Sequence, residues 1–299
     1  MKVNWQPIHW EKGTKESSEG DTLLFPEFTE DTIYFGHQVP MSYENVVEMM
    51  EQWGEHPHGK IHILGQSLGG RNIYRLEIID PDSPHPRKAP WGHYFANQHP
   101  GEHNSQWRMV GMIDWLLSDA GVECRQKSIS HFILMMSPDA PYHGWYRVNA
   151  QGIDMNRSYF AGGSDKERQA HEAYIVQRDL EALMASETPV TDLWSMHTWG
   201  GIVEPILSSG PEMGTTLGSW TEFKEIMSHN DPKGLVKPLQ ARELGGYGGT
   251  SWTDGPHTQF GITSVLCEGA GNFYTKQENL DSGVVLMKSI AAYYKETKP

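Results

Sequence analysis

The chain has 299 residues, and its 24 Lys and Arg against 38 Asp and Glu give a formal net charge of −14. A hydrophobic content of 37% and a charged content of 21% are typical of a folded globular protein and exclude a wholly disordered chain. The negative average field repels phosphate, so neither nucleic acid nor an anionic membrane surface is expected as a partner.

Three further counts narrow the class of protein. No apolar stretch approaches the roughly 18 residues that a membrane-spanning helix needs. Only two cysteines occur, Cys124 and Cys267, which excludes a disulfide framework. The 15 histidines are unusual and raise the question of a metal site.

The beginning of the chain is polar and shows no apolar periodicity, most clearly over residues 11–21. We therefore predict an N-terminal arm or loop over residues 1–35 and a single folded domain over residues 36–299. The first residues lack the apolar core of a signal peptide, which favours a cytoplasmic protein.

Helix and strand patterns alternate along the remainder of the chain. Ser42 is a typical capping residue, and the apolar-periodic helix that follows it ends near Trp53. The later elements are predicted, in chain order, as strands at 61–64, 72–79 and 91–96, a helix at 105–117, a strand at 129–136, a helix at 166–185, strands at 192–199 and 262–267, and a helix at 283–294. The glycine-rich stretch 210–249 is interpreted as a long functional loop region. This alternation predicts an α/β sheet covered by helices on both faces.

One candidate motif is Gly65-Gln66-Ser67-Leu68-Gly69, which matches the G-x-S-x-G turn of α/β-hydrolases. That turn needs a strand before the serine and a helix after it. The following segment, 72–79, is rich in Ile and Tyr and is predicted to be extended. We therefore interpret the motif as a tight turn between two hairpin strands, and not as a serine nucleophile.

A second motif is His99-Pro100-Gly101-Glu102-His103, which matches the H-x-x-E-H pattern of inverted zincins. In those proteins both histidines lie on one face of a continuous helix. Because Pro100 and Gly101 oppose a helix interior, that arrangement is not expected here.

The same segment supports a third interpretation. His99 and Glu102 follow the strand at 91–96, and open α/β sheets place ligands beyond the carboxyl ends of their strands. Hydrolytic zinc sites use three protein ligands, and two histidines with one glutamate form one such set. His197, near the end of the strand at 192–199, fits as the third ligand. The alternative is that His99 caps the following helix and His197 is a packed core histidine, which either histidine alone would favour.

The segment His99-Pro100-Gly101-Glu102 resembles the zinc-binding motif of the carboxypeptidase A superfamily of zinc metallocarboxypeptidases, most of all its cytosolic branch. The resemblance covers about residues 40–299. The stretch 138–157, which ends in Gly152-Ile153-Asp154-Met155-Asn156-Arg157, is similar to the family pattern of an Asn-Pro-Asp-Gly turn, an Arg and then Gly-x-Asp-x-Asn-Arg. This sequence departs from that pattern at Ser137, Ala140 and Ser158.

The resemblance implies a carboxypeptidase-like fold with a mixed, largely parallel central sheet. It implies one Zn²⁺ per chain, held by His99, Glu102 and His197. Zinc in such a site polarises the scissile carbonyl and activates a water. Glu268, at the end of the strand at 262–267, is implied as the catalytic general base.

The resemblance also assigns residues to the substrate. Arg147 is implied to stabilise the oxyanion of the tetrahedral intermediate. Asn156 and Arg157 are implied to hold the terminal carboxylate, a task that suits the planar, always charged guanidinium. Tyr247, which abuts Gly248-Gly249, is expected to bind substrate in place of the family's mobile tyrosine or to be an ordinary loop aromatic.

The implied function is zinc-dependent hydrolysis of the C-terminal peptide bond of peptides or proteins. An alternative is a zinc amidohydrolase or deacylase of the same fold, acting on an acylated amino acid or a murein peptide, because Arg157 would still bind a carboxylate. A non-catalytic binding protein is a further alternative, against which the intact ligand set and Glu268 count. Deglutamylation, known in the cytosolic branch, is disfavoured because the charge of −14 repels polyglutamate tails.

Overall fold

The computed structural model describes residues 9–11, 22–24, 27–33, 36, 38–83, 91–198, 206–209, 220–238, 249–268 and 274–296. Its helices within these ranges are α1 (Tyr43–Gly54), α2 (His103–Leu117), α3 (Val122–Lys127), α4 (Ala140–His143), α5 (His171–Met184), α6 (Trp220–Asn230), α7 (Asp254–Phe260) and α8 (Lys276–Glu296). Its strands are β1 (His9–Glu11), β2 (Thr22–Leu24), β3 (Gly59–Gln66), β4 (Asn72–Ile78), β5 (Trp91–Ala96), β6 (Ser128–Ile133), β7 (Asp192–Met196), β8 (Ile206–Ser209), β9 (Lys237–Pro238) and β10 (Thr263–Glu268).

Eight of the described strands form one mixed sheet in the order β3-β4-β6-β5-β7-β10-β8-β9. Its centre, from β6 through β5 and β7 to β10, is parallel. The direction changes at β4 on one side and at β8 on the other, where the pairing is antiparallel. The predicted mixed sheet with a parallel centre is confirmed. Among the described helices, none has the length and apolar character needed to span a bilayer.

Both faces of the sheet are buried, as alternate residues of β5 demonstrate. Trp91 and Phe95 belong to a core that includes residues of α1, α2, α6 and α8. Tyr94 and Ala96 belong to a second core that includes residues of α5. Because successive side chains of a strand point to opposite faces, helices cover the sheet on both sides, as the sequence predicts.

Helix α2 is fixed by close contact with α8. A Cβ atom on Gly111 would lie 2.1 Å from the carbonyl oxygen of Leu280, and one on Gly283 would lie 1.9 Å from that of Arg108. Both neighbours are backbone atoms, so a side chain at either glycine would force the helices apart. This close approach fixes the position of α2, whose first turn borders the candidate metal site.

Several segments have more regular structure than the sequence predicts. Within residues 1–35, predicted to be an arm or loop, the described residues include an antiparallel strand pair, β1 with β2. The stretch 210–249, predicted to be a loop, contains α6, whose buried Phe223 and Met227 lie four residues apart on one face. Ile226 packs against the same core, so apolar residues at helical spacing were present, but the Gly, Ser and Pro content of the surrounding stretch favoured a loop.

Helices α5 and α8 begin at other residues than predicted. Helix α5 begins at His171, because side-chain bonds of Asp165 and Gln169 hold the preceding residues in a turn. Helix α8 begins at Lys276, after a reciprocal capping pair of Thr275 and Glu278. The Thr-x-x-Glu spacing is a signal for a helix start in the sequence. The predicted start lay too late because it followed the apolar pattern, which begins further along the chain.

The turn between β3 and β4 is held by one buried carboxylate. Asp139 accepts hydrogen bonds from Ser67 Oγ, from the Gly69 amide and from Arg71 Nη1, each at 2.8 Å. Because Ser67 serves this turn and β4 follows it, the hairpin interpretation of the G-x-S-x-G motif is confirmed. Burial would raise the pKa of Asp139, but the Arg71 and Ser67 contacts outweigh it and hold the pKa below its ordinary value.

Replacing Asp139 by Asn is expected to lower the free energy of unfolding by about 1–3 kcal/mol at pH 7, because three donors lose a charged acceptor. The folded-state pKa lies below the unfolded value of about 3.9, so this contribution is complete above that pH and is lost as the pH falls through the folded pKa. Urea unfolding of both proteins at pH 7, 5 and 4 measures the difference. Equal stability at pH 7 would contradict the prediction.

Candidate metal centre

The predicted metal ligands meet at one edge of the sheet. His99 and Glu102 follow β5, His197 follows β7, and these two strands are parallel neighbours. The carboxyl ends of parallel neighbours share an edge, which brings the three side chains together. All three are buried, with 2%, 4% and 2% of their surface exposed in that order. The H-x-x-E-H pattern does not form the helix of an inverted zincin, because α2 begins only at His103 and His99 lies outside it.

The three side chains direct their polar atoms at one another. His99 Nδ1 lies 2.7 Å from Glu102 Oε1, and His197 Nδ1 lies 2.8 Å from Glu102 Oε2. The two Nδ1 atoms are 3.1 Å apart. One possible ligand atom from each residue lies within 4.8 Å of the others. Two imidazole nitrogens and a carboxylate that converge in this way form a donor set that fits zinc.

The charges in this cluster stabilise one another. Burial alone would raise the pKa of Glu102, but His197 and His99 outweigh it and lower the pKa to about 2. Burial would lower the pKa of His99, but Glu102 and Asp154 outweigh it and raise that pKa above its ordinary value. Glu102 therefore stays ionised over the physiological range, which is the state that a metal ligand needs.

Asp154 connects the cluster to Arg147. Its Oδ1 lies 3.0 Å from His99 Nε2, and its Oδ2 accepts a hydrogen bond from Arg147 Nε at 2.7 Å. A carboxylate on the far nitrogen of a metal-binding histidine fixes the ring and raises its basicity. Sequence reasoning quoted Asp154 within the 138–157 pattern but gave it no role, because nothing in the linear pattern pairs it with His99.

Asn156, predicted to bind substrate, contacts this cluster directly, and Arg147, predicted to stabilise the oxyanion, reaches it through Asp154. Arg147 keeps 43% of its side chain exposed. Asn156 is buried, with Nδ2 3.1 Å from His197 Nε2 and Oδ1 accepting from the Trp252 amide at 2.8 Å. Arg157 is exposed and donates to the Asn156 carbonyl at 2.8 Å. Asn156 thus has a contact with His197 that sequence reasoning did not anticipate.

Glu268 ends β10, the parallel neighbour of β7 on the side away from β5. The His197 amide donates to the Cys267 carbonyl at 2.9 Å, which places Glu268 at the same edge as the three candidate ligands. Burial raises the pKa of Glu268, and Glu102 raises it further, while His197 and His99 oppose the shift. A carboxylate with a raised pKa is suited to accept a proton near neutral pH.

Tyr247 and the two cysteines were also singled out from the sequence. Tyr247 lies outside the described residues, as does the glycine-rich segment that follows Glu268. Cys124 and Cys267 are both free and buried.

Comparisons with known proteins agree with this geometry. Residues 46–196 match the family described as zinc carboxypeptidase. Mouse cytosolic carboxypeptidase 3 is 33% identical over 144 residues, which are 46% of this chain and 14% of the mouse protein. Human cytosolic carboxypeptidase 2 is 32% identical over 147 residues, which are 46% of this chain and 16% of the human protein. A metallo-carboxypeptidase from Burkholderia cenocepacia has a similar fold, with a TM-score of 0.72 and 19% identity over 87% of this chain and 70% of that one.

The alignments with the two mammalian relatives span 14% and 16% of those proteins, so what the whole relatives do is not carried over by similarity alone. The family match, in contrast, covers half of this chain and includes both predicted ligands after β5 and the 138–157 pattern. The chain therefore belongs to the zinc carboxypeptidase family.

Proposed function

We propose that this chain is a zinc-dependent metallocarboxypeptidase that removes the C-terminal residue of peptides or proteins, with one Zn²⁺ held by His99, Glu102 and His197. The observation that carries the proposal is the convergence of these ligand atoms within 4.8 Å. They lie at the edge of the sheet where β10 ends with Glu268. The names of the mammalian relatives support a cytoplasmic setting.

The residues around the site have complementary roles in this reaction. Zinc, when bound, supplies a Lewis acid that polarises the scissile carbonyl and acidifies a water. Glu268 takes the proton of the attacking water and later delivers it to the leaving amine. Arg147, held through its Nε by Asp154, leaves its remaining guanidinium donors for the developing oxyanion.

Anchoring of the substrate terminus explains why one residue is removed at a time. Arg157 is exposed and follows Asn156, which touches His197. A guanidinium there pairs with the terminal carboxylate in a bidentate manner, and Asn156 is proposed to assist it. Because Asn156 touches His197, a carboxylate fixed there would be anchored next to the candidate metal ligands, where the last peptide bond is proposed to be cleaved.

Incubation of the protein with short peptides that end in acidic, basic, aromatic or aliphatic residues tests the proposal. Each peptide is paired with its C-terminal amide, and N-acyl amino acids are included in the same panel. We expect mass spectrometry to detect loss of one residue from free-acid peptides and none from the amides. We expect 1,10-phenanthroline to abolish that loss, the non-chelating 1,7 isomer to leave it unchanged and added Zn²⁺ to restore it.

Three results would contradict the proposal. Release of no residue from any peptide would refute carboxypeptidase activity, and cleavage of the N-acyl amino acids alone would assign the site to an amidohydrolase. Activity that persists in 1,10-phenanthroline would refute the role of zinc. The Ser67→Ala variant serves as the control for a serine hydrolase, and we expect its activity to equal that of the unaltered protein.

A further inference from the structure

The first turn of α2 begins at a residue that cannot cap it. The opening amides of a helix lack partners within the helix, and the side chain at the N-cap position usually accepts one of them. In α2 that position is Glu102, whose side chain makes no capping bond within the described part of the chain. Its two oxygens are instead engaged by His99, by His197 and by the Thr198 amide.

Two side chains from outside the helix replace the missing cap. The Asn104 amide donates to Gln38 Oε1 at 2.7 Å, and the Ser105 amide donates to Thr198 Oγ1 at 3.0 Å. Both acceptors are buried. Thr198 adjoins the ligand His197 in sequence, whereas Gln38 comes from the segment before α1.

The segment that carries Gln38 is fastened to the same helix. Trp107 Nε1 donates to the Val39 carbonyl at 2.9 Å, and the Met41 amide lies 3.4 Å from His103 Nδ1. Met41 is buried in the core shared with α2. Gln38 is thus presented by backbone that is bound to α2, and its amide oxygen has a fixed direction.

We propose that Gln38 is a positioning residue for the metal site. By capping α2 through Asn104, it leaves the Glu102 carboxylate free for the metal ion and holds the turn from His99 to Glu102 in place. The inference rests on the proposed zinc site, because it assigns to Gln38 the task of orienting one of its ligands.

Two substitutions at Gln38 separate the acceptor from the volume of the side chain. Gln38→Met keeps a similar size and removes the acceptor, so we expect the zinc Kd, measured by competition with a chromophoric chelator, to rise about tenfold. Gln38→Glu keeps an oxygen, and the positive end of the α2 dipole favours a carboxylate there, so we expect most of the affinity to return. It loses no other bond, because Gln38 Nε2 has no partner among the described residues.

Ser42→Ala is the matched control, since it removes the cap of α1 four residues further along the chain. We expect it to lower the melting temperature and to leave the zinc Kd unchanged. A merely structural role for Gln38 would give Gln38→Met the same behaviour as this control. Zinc affinity equal to that of the unaltered protein would therefore overturn the proposal.

Amide hydrogen exchange of the metal-free full chain gives a readout that does not depend on zinc. Gln38→Met is expected to speed exchange of the Asn104 amide. Ser42→Ala is expected to speed exchange of the Asn45 amide, which donates a hydrogen bond to Ser42 Oγ. If the unaltered protein binds no zinc, the proposed function fails, while the exchange measurement still decides whether Gln38 caps α2. Unchanged exchange at Asn104 would overturn the inference by itself.

Discussion

Replacing Glu268 by Gln is expected to lower kcat by about 100-fold to 10,000-fold and to leave the zinc Kd unchanged, because an amide cannot take a proton from water. The substitution preserves the size of the side chain at the end of β10. Glu268 is not among the described residues whose ligand atoms converge, so the substitution leaves the three candidate ligands intact. Steady-state kinetics on the preferred peptide and metal analysis of the purified variant measure the two quantities.

Glu123→Gln is the matched control for this prediction. Glu123 is exposed and pairs with Lys127 and Lys295 near the amino end of β6, at the opposite edge of the sheet from the candidate ligands. We expect this control to retain full activity. A Glu268→Gln variant with more than a tenth of the original kcat would exclude Glu268 as the general base.

The convergence of the three candidate ligands could be predicted in part because the relevant information is local in sequence. His99 and Glu102 lie three residues apart, directly after β5, and His197 follows β7. Parallel neighbouring strands bring their carboxyl ends to one edge of the sheet. Each histidine alone also fits a packed structural role, and the resemblance to the zinc metallocarboxypeptidases selected these three residues as the ligand set.

The contacts that support the site could not be predicted in the same way. Asp154 reaches His99 across 55 residues, and Gln38 reaches Asn104 across 66. Neither pair has a periodic pattern, a charge run or a recognisable spacing, since each depends on how a loop folds onto the sheet edge. A hydrogen bond between distant segments is a property of the tertiary structure and leaves no trace in a single sequence.

Secondary structure shows the same division. The strands at the centre of the sheet are buried on both faces, and they were located to within a few residues although polar residues such as His93, His131 and Asp192 interrupt their apolar sequence. Helix α6 was missed although Phe223, Ile226 and Met227 contact the core at helical spacing. Its amphipathic pattern is short and lies in a stretch rich in Gly, Ser and Pro, whose composition favours a loop.

Asp154→Asn is expected to raise the zinc Kd by about 10-fold to 100-fold. The carboxylate uses both of its oxygens as hydrogen-bond acceptors, whereas a side-chain amide has only one acceptor oxygen. In the unaltered protein Oδ1 faces His99 Nε2 and Oδ2 faces Arg147 Nε. An asparagine at this position must leave either the histidine or the arginine opposite an N–H group, which donates and cannot accept. Whichever orientation it adopts, one partner faces a donor and the other keeps only an uncharged acceptor, so the contacts with His99 and with Arg147 are both weakened.

A second substitution separates the two partners. Arg147→Met removes the guanidinium but leaves Asp154 on His99, so we expect the zinc Kd to stay near its original value while kcat falls about 100-fold through loss of the oxyanion donor. Asp154→Asn, assayed at saturating zinc, is expected to retain a lowered kcat, because added metal restores occupancy and not the orientation of Arg147. Full recovery of kcat on zinc addition would show that Asp154 acts through His99 alone. An unchanged zinc Kd in Asp154→Asn would show that Asp154 does not support the metal ligands and acts only through its contact with Arg147.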